Sequence, residues 1–488
     1  MNHQVQTPEW VKNAIFYQIF PDRFATSERI DKPHNLEPWD SPPTVYGFKG
    51  GDLLGVTEHL DYLQELGITA IYFNPIFQSA SNHRYHTHDY YQVDPILGGN
   101  PAFQILLEVA HQRHMRIVLD GVFNHASRGF FQFNHILECR ASSPYVDWFD
   151  VHGYPLNAYQ GEPNYRSWLD LPALPEFNTQ NPQVRKFIFD VARFWLEQGI
   201  DGWRLDVPFC IDEDAFWQEF RQVVKSANPE AYIVGEVPWE AQRWLQGDQF
   251  DAVMNYQFTQ ACLGFFAGRR INRAVEKNMM SLPETKVLDA AGFAQRAVEL
   301  LQLYPKEISL AQLNLLDSHD MPRFTTLAGG DQASYRLAAL FQMTYPGAPC
   351  IYYGDEIGLT GGTSDYPEDS RRSFPWNSSR WDHDLLDYIK CLIALRRKRP
   401  ELRNGEFDNV YAQGTVYAYL RSQGAAQTLV VINNGDVDFE KPLPVGSQLA
   451  EGSQWRGLLG PETASVETQQ LRGLSLKARS AAVLSLQD

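Results

Sequence analysis

Gly202-Trp203-Arg204-Leu205-Asp206-Val207 is the stretch whose reading decides the fold. It is short and β-prone, and side chains alternate across a strand. Gly202, Arg204 and Asp206 therefore share one face, while Trp203, Leu205 and Val207 share the other. In a parallel barrel the charged face is the interior, and Asp206 lies at the C-terminal end of the strand, where such barrels carry their chemistry. A guanidinium two positions away on the same face would keep Asp206 ionised despite burial. Taken alone, the pattern more readily describes a structural Arg–Asp pair. The other strand ends change that balance.

Outward from this strand the chain alternates. On the N-terminal side, Asn181-Pro182 is a capped helix start, followed by the apolar stripe Val184, Phe187, Ile188, Val191 and Phe194 and a stop at Gly199. On the C-terminal side, a helix over 214–227 leads to a strand over 232–235 that ends in Glu236. Further strands are predicted at 14–19, 68–73, 117–122, 250–254, 313–316 and 350–353. Helices are predicted over 52–66, from Asn100-Pro101, and over 384–399. Eight strands alternating with helices predict an α/β fold, a (β/α)8 TIM barrel. Residues 125–180 hold no sustained period and are rich in Pro, Gly, Asn and aromatics, so they read as a subdomain inserted after strand three. Beyond Pro400, short alternating runs such as 416–420 and 428–432 predict a separate antiparallel β-sandwich. The expected division is a barrel in two parts, 8–124 and 181–399, an insertion at 125–180 and a C-terminal domain at 400–488.

Composition narrows the function. At 488 residues and 44% hydrophobic, the chain can bury a large core. A formal net charge of −17 argues against nucleic-acid binding, which needs basic patches. No basic segment leads into an apolar run at the start, and nowhere do 18 apolar residues run together, so a cytoplasmic location without membrane contact is expected. The five cysteines, Cys139, Cys210, Cys262, Cys350 and Cys391, are scattered without CxxC spacing, which predicts neither a disulfide framework nor a zinc site. His83, His86 and His88 cluster in a loop without a carboxylate scaffold, and no metal is expected there.

Asp206, Glu236 and Asp320 close strands four, five and seven, so a barrel would gather them at one rim. A retaining glycosidase needs an ionised carboxylate as nucleophile and a protonated one as general acid, roughly 5–5.5 Å apart. Arg204 would hold Asp206 charged; Glu236, between Gly235 and the apolar Val237-Pro238, sits where its pKa could rise. His125, His319 and Asp320 could then bind sugar hydroxyls.

The segments Asp120-Gly121-Val122-Phe123-Asn124-His125, Gly202-Trp203-Arg204-Leu205-Asp206, Gly235-Glu236-Val237 and Leu316-Asp317-Ser318-His319-Asp320 resemble, in order, the four signature regions of the α-amylase family of glycoside hydrolases. Supporting stretches at 14–24, 174–178, 247–256 and 352–359 resemble its cyclomaltodextrinase, neopullulanase and maltogenic amylase branch. The resemblance implies Asp206 as nucleophile, Glu236 as general acid/base and Asp320 as transition-state stabiliser. It implies that Arg204 positions Asp206, that Asp120 braces Arg204, that His125, His319 and Tyr90 line the cleavage subsite, and that Arg371 contacts the next sugar. It further implies cleavage of α-1,4 and α-1,6 bonds in malto-oligosaccharides or related α-glucans, and a homodimer. A transglycosylase, or a silent glucan-binding protein on the same fold, are the rival readings.

The sequence also departs from that branch. Only a few residues precede Trp10, where members of the branch carry a further domain. After Asp206 the usual Val-Ala-Asn-Glu becomes Val207-Pro208-Phe209-Cys210, and after Glu236 the usual Trp-His becomes Pro238-Trp239. Both changes fall on the leaving-group side, which predicts altered acceptor specificity and weaker transfer. No cofactor is expected. The calcium that some relatives place after Arg23 is not expected either, because Ala25-Thr26-Ser27-Glu28-Arg29-Ile30-Asp31 offers few oxygen ligands.

Overall fold

The computed structural model describes residues 5–279, 282–363 and 367–487. Eight parallel strands build its centre: β1 Phe16–Ile19, β2 Ala70–Phe73, β3 Arg116–Gly121, β4 Gly202–Leu205, β5 Tyr232–Gly235, β6 Ala252–Val253, β7 Leu313–Leu315 and β8 Ala348–Tyr352. They neighbour one another in chain order, and β8 returns to pair with β1. A parallel bridge from Met254 to Leu313, with the Asn255 N–H donating to the Leu313 carbonyl at 2.8 Å, joins β6 to β7 and closes the (β/α)8 barrel.

The register follows from what each strand carries. Gly202 faces Tyr232 across β4 and β5, and a Cβ at Gly202 would lie 2.4 Å from the Tyr232 carbonyl oxygen. Only glycine lets the two backbones approach this closely. Asp120 on β3 and Arg204 on β4 are direct cross-strand partners. The interior charge pair is thus set by register rather than by a loop. Trp203 and Leu205, on the opposite face, are buried under the surrounding helices.

Two helix expectations shift. The helix expected over 52–66 is two helices, Leu53–Glu58 and Leu60–Leu66. The His59 ring lies 2.7 Å from the Gly55 carbonyl, the acceptor that a continuous helix would offer to the His59 N–H. The helix expected to open at Asn100-Pro101 spans Gly99–Gln112; Asn100 Oδ1 accepts instead from the Val93 N–H at 2.7 Å, tying the helix to the preceding strand. By contrast, Asn181 Oδ1 caps Pro182–Gln198 by accepting from the Gln183 N–H at 2.8 Å, and Gly199 ends that helix with φ of 110°.

Between β3 and that helix, residues 125–180 form one helix, Phe131–Cys139, and short 3₁₀ turns around a knot of aromatic rings. The C-terminal strands form an antiparallel sheet of eight, folded as the expected sandwich. Alternation divides Val416–Gln423: Val416, Ala418 and Leu420 enter the sandwich core, whereas Tyr417 and Tyr419 pack on Phe293 and Phe341 of the barrel's helices. Two buried arginines fasten this junction, Arg396 from the closing helix and Arg421 from the sheet, each donating to backbone carbonyls that include that of Leu402. Among the described residues, no helix is long and apolar enough to cross a membrane.

Candidate active site

Arg204 is wholly buried at the inner wall of β4, and its guanidinium serves three carboxylates. Nη1 donates to both Asp120 oxygens, at 2.9 and 3.0 Å, and to Asp206 Oδ1 at 2.9 Å. Nη2 lies 2.6 Å from Glu236 Oε1 without hydrogen-bond alignment. Glu236 Oε2 accepts from the Val207 N–H at 3.1 Å, and the Tyr256 hydroxyl reaches Oε1 at 3.4 Å. The ends of β4 and β5 thus bring Asp206 and Glu236 to one guanidinium.

The end of β7 adds the third acid. Asp320 is held by His319 Nε2 at 2.9 Å and by Arg371 Nη2 at 3.0 Å. Arg371 also donates through Nε to the His319 carbonyl at 2.9 Å and pairs with Glu368 at 3.2 Å. Gln18 Nε2 stands 3.0 Å from Asn74 Oδ1 and 2.9 Å from His319 Nδ1, so Nδ1 accepts and Nε2 carries the ring proton toward Asp320. The Tyr85 ring stacks on His319 with centroids 5.6 Å apart and 9° between planes, and its hydroxyl donates to Asp120 Oδ2 at 2.9 Å. Tyr72 donates to the same oxygen at 3.0 Å.

Charge and burial oppose each other throughout. Burial pushes Glu236 up to about 7, aided by Asp320 and Asp120 and resisted by Arg204 and the Val207 N–H. Burial also drives Asp206 well above the usual carboxylate range, with Arg204 pulling down and Glu236, Asp120 and Asp320 pushing up. The expectation that Arg204 would single out Asp206 for ionisation is therefore corrected. One guanidinium divided among three carboxylates does not outweigh desolvation, and the two acids titrate as a pair. Asp320 is different: burial opposes its charge, yet His319 and Arg371 hold it well below the ordinary value. Burial keeps His319 neutral by lowering it, and pushes His125 down to about 3.

Of the residues expected at the site, Asp120, Arg204, Asp206, Glu236, His319, Asp320 and Arg371 form one connected cluster. His125 is buried beside it, stacked on Trp168 at 5.4 Å, and its Nε2 has no protein partner. Tyr90 is not brought in. Its ring is buried among Phe77, Phe123, Phe130 and Phe177, and its hydroxyl donates to the carbonyls of Val122 at 2.9 Å and His125 at 2.8 Å. Tyr85, five residues earlier, reaches the cluster instead. Part of the loop that carries Arg371, residues 364–366, lies outside the described residues.

Sequence reading missed Gln18, Tyr72, Asn74, Tyr85 and Glu368. Gln18 carried a signal, since it is a lone amide inside an otherwise apolar strand. Phe209 and Trp239, each three residues beyond one of the paired acids, lie against each other with centroids 4.7 Å apart, and Trp239 remains 44% exposed. Among the described residues, no three His, Cys, Asp or Glu side chains are arranged to hold a metal.

A family model described as the α-amylase catalytic domain matches residues 18–383, and one described as the neopullulanase-like C-terminal domain matches residues 407–485. A cyclomaltodextrinase of Geobacillus thermopakistaniensis is 42% identical over 470 residues, covering 96% of this chain and 76% of that protein. Neopullulanase 2 of Thermoactinomyces vulgaris is 45% identical over 433 residues, covering 88% and 70%. The crystal structure of a debranching enzyme from Nostoc punctiforme superposes with a TM-score of 0.89 at 50% identity, covering 99% of this chain and 100% of that one. The chain belongs to the α-amylase family of glycoside hydrolases, in the branch of the cyclomaltodextrinases, neopullulanases and maltogenic amylases.

Proposed function

We propose that this chain hydrolyses α-1,4 and α-1,6 glucosidic bonds of malto-oligosaccharides, cyclic maltodextrins and branched α-glucans in the cytoplasm, with retention at the anomeric carbon. The observation that carries the reading is the shared guanidinium: Asp206 and Glu236 each meet one terminal nitrogen of Arg204. That arrangement supports the short spacing of a retaining pair over the roughly 6.5–9.5 Å of an inverting one. Glu236 gives its proton to the glycosidic oxygen while Asp206 attacks the anomeric carbon, forming a β-glucosyl ester and releasing the leaving chain. Glu236, now ionised, takes a proton from water, which opens the ester and returns an α-configured sugar. Asp320 and the neutral His125 and His319 accept and donate bonds to ring hydroxyls, and the orphan Nε2 of His125 is satisfied by the substrate. Arg371 orients Asp320.

On the leaving-group side, the exposed Trp239 against Phe209 gives a flat apolar surface where the branch usually carries different residues. Such a face suits a sugar ring, and the weaker transfer rests instead on Cys210, which stands where the branch usually carries a glutamate. The deciding experiment is incubation with linear, cyclic and branched maltosaccharides, following product length and anomer by NMR, with D206N as control. Early release of the α-anomer is expected. Early β-anomer would refute retention, transfer to glucose outrunning hydrolysis would favour a transferase, and full turnover by D206N would displace the nucleophile.

A further inference from the structure

Val207 follows Asp206 directly and adopts φ 36° and ψ 50°, in the left-handed region. A β-branched side chain is disfavoured there, and a residue that precedes proline is pushed toward extended backbone, so Val207 is out of place on two counts. Its surroundings hold it. The Asp206 N–H donates to the Gly121 carbonyl at 3.1 Å, and the Cys210 N–H closes the next turn on the Val207 carbonyl at 3.0 Å. Pro208 opens the 3₁₀ turn Pro208–Cys210, and the buried Trp217 indole donates to the Pro208 and Ile211 carbonyls at 3.2 and 3.1 Å. The Pro208 ring also presses on the end of β5, where a Cβ at Gly235 would lie 3.4 Å from its Cγ. The product of this geometry is one bond: the inverted peptide aims the Val207 N–H at Glu236 Oε2, 3.1 Å away.

We propose that the strained Val207-Pro208 turn is a positioning element that fixes the plane of the Glu236 carboxyl against Asp206, one residue from the strain. The proposal rests on the reading of Glu236 as acid/base. Sparsely populated backbone of this kind persists where the surrounding structure over-determines it, and here what it secures is a fixed donor on the group that must give and then retake a proton. An N–H on a carboxylate favours its charged form. Arg204 acts in the same direction, Asp120 and Asp320 act against it, and the Tyr256 hydroxyl touches the other oxygen.

The test replaces the Val207 residue by α-hydroxyisovalerate, an amide-to-ester change that deletes the N–H and keeps the side chain. The basic limb of the pH profile of kcat/KM should move up by about one unit, and kcat should fall roughly 10- to 100-fold, the range carried by a hydrogen bond to a charged group. V207G should keep the turn, because glycine accepts positive φ, and its basic limb should stay in place. An ester variant whose limb does not move overturns the proposal even if kcat falls, and so does a V207G whose limb shifts as far as the ester's although its N–H is kept. E236Q separates the two readings: if it turns over normally, the acid/base assignment fails; if it is inactive while the ester is silent, only the positioning role fails.

Discussion

Arg204→Met removes the one cation that three buried carboxylates share while keeping most of the side-chain volume. At 2.9 Å and an effective dielectric of about 20, each ion contact contributes about 6 kcal/mol of attraction, which desolvation of the buried ions and repulsion among the acids largely offset. Breaking a buried pair leaves uncompensated charge and costs about 3–5 kcal/mol. The cost must depend on pH. Without Arg204, Asp206 and Glu236 rise further above the value that they have in the unfolded chain, so the folded variant binds protons more tightly than the unfolded one does. The parent's Glu236, at about 7, already makes stability fall as pH rises toward that value, so the variant's extra loss opens only above about pH 7, as pH climbs toward its still higher folded values. Guanidinium unfolding at pH 5 and pH 8 measures this directly. The deficit relative to the parent should be larger at pH 8 than at pH 5, by about 1.4 kcal/mol for each acid that the parent has ionised and the variant has not. An equal deficit at both values, or none, would refute the view that one guanidinium holds the three acids together.

Other consequences are as direct. Because burial pushes Glu236 up to about 7, kcat/KM should fall as pH rises through about 7 and the acid loses its proton; E236Q should abolish that limb along with activity on unactivated glucans, read from a pH–rate series. Tyr85→Phe, which takes a hydroxyl from Asp120 and His319, should raise KM or lower kcat on maltotriose without unfolding the chain. Tyr90→Phe strands two buried carbonyls and should cost about 1–3 kcal/mol in urea unfolding with kinetic constants near those of the parent. Arg421→Met leaves the carbonyls of Thr344, Gly405 and Glu406 without this donor at the junction of barrel and sandwich, and leaves that of Leu402 with Arg396 alone; a loss of about 3 kcal/mol, seen as a lower melting temperature with unchanged KM, is the expected result.

The barrel was legible because its signals are local and redundant. Asn181-Pro182 and Gly199 mark a helix at both ends, and each of the eight strands is a β-prone run followed by polar or charged loop residues. The acids at the ends of β4, β5 and β7 could be read from position alone, since topology gathers strand ends whatever lies between them. What the sequence hid depends on direction and distance. Tyr85 and Tyr90 sit in one aromatic loop, and only tertiary packing shows that Tyr90 turns into the ring cluster while Tyr85 turns toward His319. The break at His59 comes from an imidazole taking a backbone acceptor, which helical periodicity does not register. The left-handed backbone of Val207 was equally unreadable, because valine before proline predicts the opposite conformation.

The protonation of the acid pair follows from a count of charges. Asp120 takes two contacts from Arg204 Nη1 and two tyrosine hydroxyls, so much of the guanidinium's charge is already answered before Asp206 and Glu236 draw on it. What remains is too little to ionise both acids in a buried site, and together they hold a proton near neutrality, as the proposed double displacement requires. The proposed function then gives Asp120 a part in the titration of the acid pair. In D120N the shape is kept and one negative charge is gone, so Arg204 supports the ionised forms of Asp206 and Glu236 more strongly and both values fall. The basic limb of kcat/KM should move to lower pH, and activity at pH 7 should drop more than activity at pH 5. If the limb stays in place while kcat falls evenly at all pH values, Asp120 is a brace for Arg204 and nothing more.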